Sequence, residues 1–352
     1  TAIGSTALDA NTTGSGNVAI GKDALTENTT ASDNVAIGLF AMNNNSTGAQ
    51  NVAVGKDALL GNTTASNNVA IGFNALTANT TGTVNVAVGA NALDANTTAS
   101  SGVAIGFNAL TSNTTGGANI AIGKDALEAN TTGATNVAVG YLAMEANTTA
   151  ANNVAIGAEA LNDNTTGTRN VAVGYAALDA ATTVDDNTAV GHDALTANTS
   201  GFKNTAVGSG AGEGNTTGDN LVAVGFNAAE NNTTADDNTA IGSQALFTNT
   251  TGAKNVAIGT GAMYNNTTAN DNVAVGAESM DANTTGAGNT AVGKGSMGAN
   301  TTGQRSVAIG YNAMLVSTTA SDTVCVGYSA GDALTDAIEN VFVGYFAGSG
   351  TT

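Results

Sequence analysis

The sequence predicts an all-β fold, a parallel β-solenoid of 21 rungs, and three observations carry the prediction. The phrase NVAIG at Asn17–Gly21 returns at Asn34–Gly38, and its closing glycine recurs every 17 residues from Gly4 to Gly344, without insertion or deletion. Short β-branched segments keep the same period, and tandem units of this size bury their apolar surface against neighbouring units. Pro is absent from all 352 residues, as expected where almost every backbone N–H is needed for ladder bonds.

The consensus reads N-V-A-I/V-G-x-x-A-L-x-x-N-T-T-G/A-x-x, here slots 1 to 17. Slots 2 and 4 hold Val or Ile, as in Val18 and Ile20 or Val52 and Val54. Alternating β-branched residues mark a short strand with one buried face, so slots 2 and 4 are expected inside, with Leu at slot 9; Val86, Val88 and Leu93 should be buried together. The invariant slot-5 glycine is expected at a corner that needs positive φ or close backbone approach. Slots 8 and 9, as in Ala24-Leu25 and Ala41-Met42, read as a second short strand. NTTG or NTTA at slots 12–15 reads as the second turn, its asparagines stacking along the axis with each amide bonding the next. Rungs ~4.8 Å apart would give a rod of roughly 100 Å.

The uniform repeats occupy residues 1–322. Over 323–352 the wording diverges: Cys325 and Phe342 take the place of slot-3 Ala, and Leu334 takes the Asn slot. This segment is expected to be an end or junction. Because Thr1 enters directly at a strand, end-to-end continuation, within a longer chain or between subunits, is expected at the ends.

Composition narrows the function. Aromatic residues make up 4%, Trp is absent, and the formal charge is −19 with eight Lys plus Arg. A thick core cannot be built from this set, and nucleic acid or anionic membrane is a poor partner for such charge. No apolar run approaches the ~18 residues of a membrane span. One Cys excludes an internal disulfide framework. His192 stands where Lys22, Lys56 and Lys124 stand in other rungs, so it reads as a surface variant rather than a catalytic base. Asp185-Asp186 and Asp236-Asp237 are three rungs apart, on the order of 14 Å, too far to share a calcium ion. No enzyme activity, metal or cofactor is expected. At slots 16 and 17, Arg169, Lys203, Lys254 and Arg305 alternate with acidic rungs, which limits like-charge ladders at ~0.2–1 kcal/mol per exposed pair.

Slot 3 is Ala in 19 of 21 rungs, including Ala19, Ala36, Ala53, Ala70, Ala87, Ala104, Ala121, Ala138, Ala155 and Ala172. Lying between two positions expected inside, it should face outward, where a variable residue would be normal. The expectation is a flat alanine stripe for self-association; the alternative is an internal slot with room for one methyl. The NTT asparagines, among them Asn11, Asn28, Asn62, Asn79, Asn96, Asn113 and Asn130, also spell the N-glycosylation acceptor, but a stacking turn already explains them and is the preferred reading. Aromatics favour slot 6 (Phe73, Phe107, Tyr141, Tyr175, Phe226, Tyr311, Tyr328, Tyr345), either shielding neighbouring rungs or offering a surface to sugars.

NVAIG followed by small residues resembles the head repeat of YadA-type trimeric adhesins. The Thr version at Asn187–Gly191, Asn204–Gly208, Asn238–Gly242 and Asn289–Gly293, with NTTG after it, resembles the NTAVGxxAL…NTTG array of phage tail-fibre proteins. The resemblance covers essentially the whole chain. It implies a left-handed β-roll, association in threes and an extracellular, cell-surface or virion setting. The function expected is therefore a structural rod: the shaft of an adhesin, filament or tail fibre, a homo-oligomer as trimer or end-to-end filament, with surface glycans as a further partner. The alternatives are a carbohydrate-binding rod using the slot-6 aromatics, or an ice-binding solenoid using the Thr files.

Overall fold

A computed structural model describes residues 1–336 and 338–350. The chain is all-β, a parallel β-solenoid with one short strand in each 17-residue repeat and no helix among the described residues. It divides into two compact units, Thr1–Ala172 and Val173–Thr352. In the first, β1 is Ala2–Ile3, and strands from β2 (Val18–Ile20) to β10 (Val154–Ile156) follow at the repeat interval. The second runs from β12 (Thr188–Val190) to β21 (Val341–Val343), and β11 (Val171–Val173) covers the division in sequence. Within each unit the register is an unbroken 17-residue offset, with Ala155 opposite Ala138 in one and Ala240 opposite Ala257 in the other.

Each rung contains one strand, not two. Slots 6–11 form a turn whose backbone bonds both within itself and to the neighbouring rung: the Asn96 N–H donates to the Leu93 carbonyl at 3.1 Å, and the Leu93 N–H donates to the Ala109 carbonyl at 3.0 Å. Three slots per rung hold left-handed residues. Slot 7 is often Asp or Asn, which tolerate that region. Slot 9 is not: Leu93 has φ 52° and Leu127 φ 53°. A leucine accepts this conformation here because it fills the interior. Leu93 is 1% exposed and Leu127 fully buried, and burying such a side chain contributes ~1.5–3 kcal/mol per rung.

The inside–outside phase of the strand is the reverse of the sequence expectation. The slot-3 alanines from Ala19 to Ala308 are buried within the solenoid, while Val86 and Val88 are only half-buried and Ile105 is 39% exposed. Only Leu93 of the expected Val86–Val88–Leu93 trio lies in the core. A 17-residue loop is so narrow that the strand's inner face admits one methyl, set against the slot-8 alanine and slot-9 leucine. The larger β-branched residues stand outside, half-covered by their equivalents one rung away.

The divergent segment keeps the strand pattern at Val324–Val326 and Val341–Val343. Cys325 is buried in the alanine position, and burial pushes its thiol up to about 11, so it acts as a small apolar filler rather than a reactive group. Residues 337, 351 and 352, part of the 323–352 segment, lie outside the described residues.

Candidate interaction surface

Buried files of asparagine and alanine and outward files of aliphatic, aromatic and threonine side chains define each unit. The first inner file is the slot-12 asparagine ladder. Asn28 Nδ2 donates to Asn11 Oδ1 at 3.0 Å, Asn79 to Asn62 at 3.1 Å, Asn96 to Asn79 at 2.9 Å, Asn113 to Asn96 at 3.1 Å and Asn130 to Asn113 at 2.9 Å. These amides, apart from the half-buried Asn11, are shut away from solvent. The geometry is that of a turn ladder, and a buried amide already bonded on both sides leaves no room for a glycan in the folded rung.

A second asparagine file at slot 1 carries no feature that periodicity alone separates from a simple turn residue. Asn85 Nδ2 donates to the Ala99 carbonyl at 2.9 Å, and Asn68 Oδ1 accepts the Asn85 backbone N–H at 2.9 Å. Ala99 also accepts from Asn96 Nδ2 at 3.1 Å, so the two files converge on one slot-15 carbonyl. Polar groups in a thin core must be bonded to be tolerated. Here each asparagine satisfies backbone groups that no ladder bond reaches.

The proposed self-association stripe, Ala19, Ala36, Ala53, Ala70, Ala87, Ala104, Ala121, Ala138, Ala155 and Ala172, is not a surface. Every one of these residues is 0% exposed in the single chain. Their uniformity reflects the internal space limit, and a partner chain cannot touch them. The surface that the strands do present is aliphatic: Ile37, Ile71, Ile105, Ile122 and Ile156 in the first unit, and Val207, Ile241, Ile258 and Ile309 in the second, are each 36–41% exposed. With the half-buried slot-2 residues, mostly valines but threonines at Thr188, Thr205, Thr239 and Thr290 in the second unit, they form two parallel uncharged files per unit.

The outer turn at slots 6 and 7 carries local ion pairs that the slot-by-slot reading did not anticipate. Lys56 Nζ lies 2.5 Å from Asp57 Oδ2 and Lys124 Nζ 2.7 Å from Asp125 Oδ2. His192 repeats the arrangement, with Nδ1 2.8 Å from Asp193 Oδ2 and its ring stacked on Tyr175 at 5.2 Å. It therefore stands as another cation-position variant of the GKDAL phrase. The adjacent G-K-D wording was the available signal. At slot 17, Arg305 grips Asp322 with two bonds of 2.7 Å, Nε to Oδ1 and Nη2 to Oδ2, and holds that carboxyl below its ordinary value. Lys203 instead places Nζ over the Phe202 ring at 5.4 Å.

Slot-6 aromatics stack where they are consecutive. Tyr311 and Tyr328 lie 5.3 Å apart, Tyr328 and Tyr345 5.4 Å. The slot-13 threonines spend their hydroxyls on the chain itself: Thr114 Oγ1 donates to the Thr131 carbonyl at 3.0 Å. This leaves the slot-14 file as the exposed threonine row. No helix among the described residues is long and apolar enough to cross a membrane. No family model matches the chain, and no curated protein matches its sequence.

Proposed function

We propose that this chain is a structural module whose work is to project and to self-associate: the shaft of an extracellular adhesin, filament or phage tail fibre. The observation that carries the reading is the uncharged face of slots 2 and 4, aliphatic throughout the first unit from Val18 and, in the second, interrupted only by the slot-2 threonines. Soluble monomers rarely leave contiguous apolar patches above a few hundred Å2 (~300–600) open to water, and larger ones mark interaction surfaces. The favoured occupant is further copies of the same chain. A second copy has the same rung spacing, so an isoleucine file can meet its equivalent along its whole length without losing register. It also brings no charge that this face would leave unpaired. A three-fold arrangement agrees with the resemblance to trimeric adhesin heads. The acidic composition suits a surface exposed outside the cell.

The test compares two changes one position apart. Ile105→Lys combined with Ile122→Glu puts an opposite-charge pair on neighbouring strands at the outer face. The fold should survive, by circular dichroism and resistance to proteolysis, while light scattering shows the oligomer reduced to monomer. Ala121→Glu places a carboxylate inside the rung and should disrupt the fold in any assembly state. A parent chain that is monomeric at all concentrations, or a double variant that assembles like the parent, overturns the proposal.

A further inference from the structure

One rung of the second unit lacks the side chains that fill the outer turn elsewhere. In the wording GKGSMGAN, slot 7 is Gly295 and slot 10 is Gly298. The rung before supplies Glu278 and Asp281 at these slots, and the rung after supplies Asn312 and Leu315. The missing side chains leave a cavity of about 490 Å3 lined by these residues together with Lys294 and Tyr311. Its walls stand two rungs apart, about 10 Å at ~4.8 Å per rung. The volume falls within the ~300–1,000 Å3 range of small-molecule sites.

The lysine beside the aromatic wall is held differently here. In the first unit, a slot-6 lysine covers the aromatic ring of the next rung: Lys56 Nζ lies 5.1 Å above Phe73 and Lys124 Nζ 5.2 Å above Tyr141. Both lysines are held by the slot-7 aspartate beside them. Lys294 has Gly295 in that place. Its ammonium lies 3.9 Å from Glu278 Oε2 of the preceding rung. Tyr311 stacks on Tyr328 and also lines the cavity.

We propose that this notch binds one pyranose ring of a glycan. The ring face of Tyr311 carries the negative quadrupole that the C–H-rich face of a sugar ring complements. Glu278 and Asp281 are acceptors for hydroxyls, Lys294 is a donor, and Asn312 offers both on the opposite wall. Leu315 supplies an apolar edge. Burial raises the Asp281 carboxyl above its ordinary value, which fits an acceptor set into the wall rather than one spread in solvent. The notch lies outside the slot-2 and slot-4 files, so the inference does not depend on self-association.

The test is an array of neutral glycans probed with the full chain, followed by titration of the strongest binder. Tyr311→Ala removes the stacking face. Gly295→Asn fills the notch: φ is 63° there, a β-carbon would meet the Asn312 Oδ1 at 2.7 Å, the end of a side chain that can turn aside, and slot 7 already carries an amide ladder elsewhere, Asn91 Nδ2 donating to Asn108 Oδ1 at 3.1 Å. The expected result is that each change weakens binding at least tenfold, that Tyr311→Phe retains it, and that thermal unfolding stays close to the parent's. Absence of any bound glycan, binding unaffected by both changes, or binding of n-butylammonium with no sugar bound overturns the assignment.

Discussion

A β-carbon placed on Gly89 would stand 2.3 Å from the carbonyl oxygen of Gly106, one rung along. Gly89 also has φ +137°, a conformation that L side chains rarely adopt. Two constraints therefore meet at slot 5, and neither can relax without moving the next rung's backbone. Gly89→Ala should cost about 2–4 kcal/mol and lower the urea midpoint of the unit that contains it. A loss below about 1 kcal/mol, the ordinary cost of a neutral exchange, would show that the rungs are not packed backbone to backbone at this corner.

The asparagine ladder should be sensitive to charge as well as to truncation. Asn113 donates to Asn96 Oδ1 and to the Gly116 carbonyl, both at 3.1 Å, and accepts from Asn130. Asn113→Ala removes these bonds and should cost ~1–3 kcal/mol. Asn113→Asp keeps the shape but buries an acceptor-only carboxylate, so at neutral pH it should cost more than alanine. If urea denaturation ranks the two variants the other way at pH 7, the file is not a buried donor–acceptor ladder.

One position offers a gain. In the second unit the ladder runs to Asn300, and the next member is Ser317, fully buried with its hydroxyl unpartnered. Ser317→Asn restores the side chain of the other rungs, with an amide in reach of Asn300 Oδ1 and the slot-15 carbonyl of its own turn. The expected change is a stabilisation of about 0.5–1.5 kcal/mol, read as a higher melting temperature. A lower melting temperature would mean that the rung around Ser317 departs from the standard turn.

The carboxylates predict an unusual pH dependence. Burial raises Asp94 and Asp281 above the ordinary 3.8, and Glu128 and Glu230 above 4.5; nearby carboxylates reinforce Glu128, Glu230 and Asp281, while the Thr77 hydrogen bond opposes the shift at Asp94. A carboxyl whose folded value is raised binds more protons in the native state, so stability increases as pH falls through the raised value towards the ordinary one. Relief of the −19 charge acts in the same direction. Asp322 opposes it only below its ordinary value, because the Arg305 pair holds it down. The melting temperature should therefore rise as pH falls from neutrality towards the ordinary glutamate value of 4.5; a flat or falling curve across that interval contradicts this account.

Much of the fold was legible because each rung must satisfy the same stacking rule. The 17-residue period, the parallel register, the slot-5 corner and the slot-12 ladder are local requirements repeated along the chain, so the sequence displays each of them many times. The strand's phase was not legible. In V-A-I the β-branched residues and the alanine have a two-residue alternation that fits either face inward, and hydrophobicity favours putting Val and Ile inside. The second strand expected at slots 8 and 9 failed for a related reason: an apolar pair such as Ala92-Leu93 shows burial, not extension, and Leu93 is buried from a left-handed turn.

The sequence alone therefore determined the repeat, the architecture and the positions where only glycine or asparagine serves. Tertiary structure decided which surface is available. Closing 17 residues into one narrow rung leaves space for Ala155 but not for Ile156, so the methyl file goes inside and the aliphatic files go out. The notch at Gly295 and Gly298 is decided in the same way. The glycines are visible in the sequence, but their joint effect exists only when Asp281, Asn312 and Tyr311 stand on the rungs to either side.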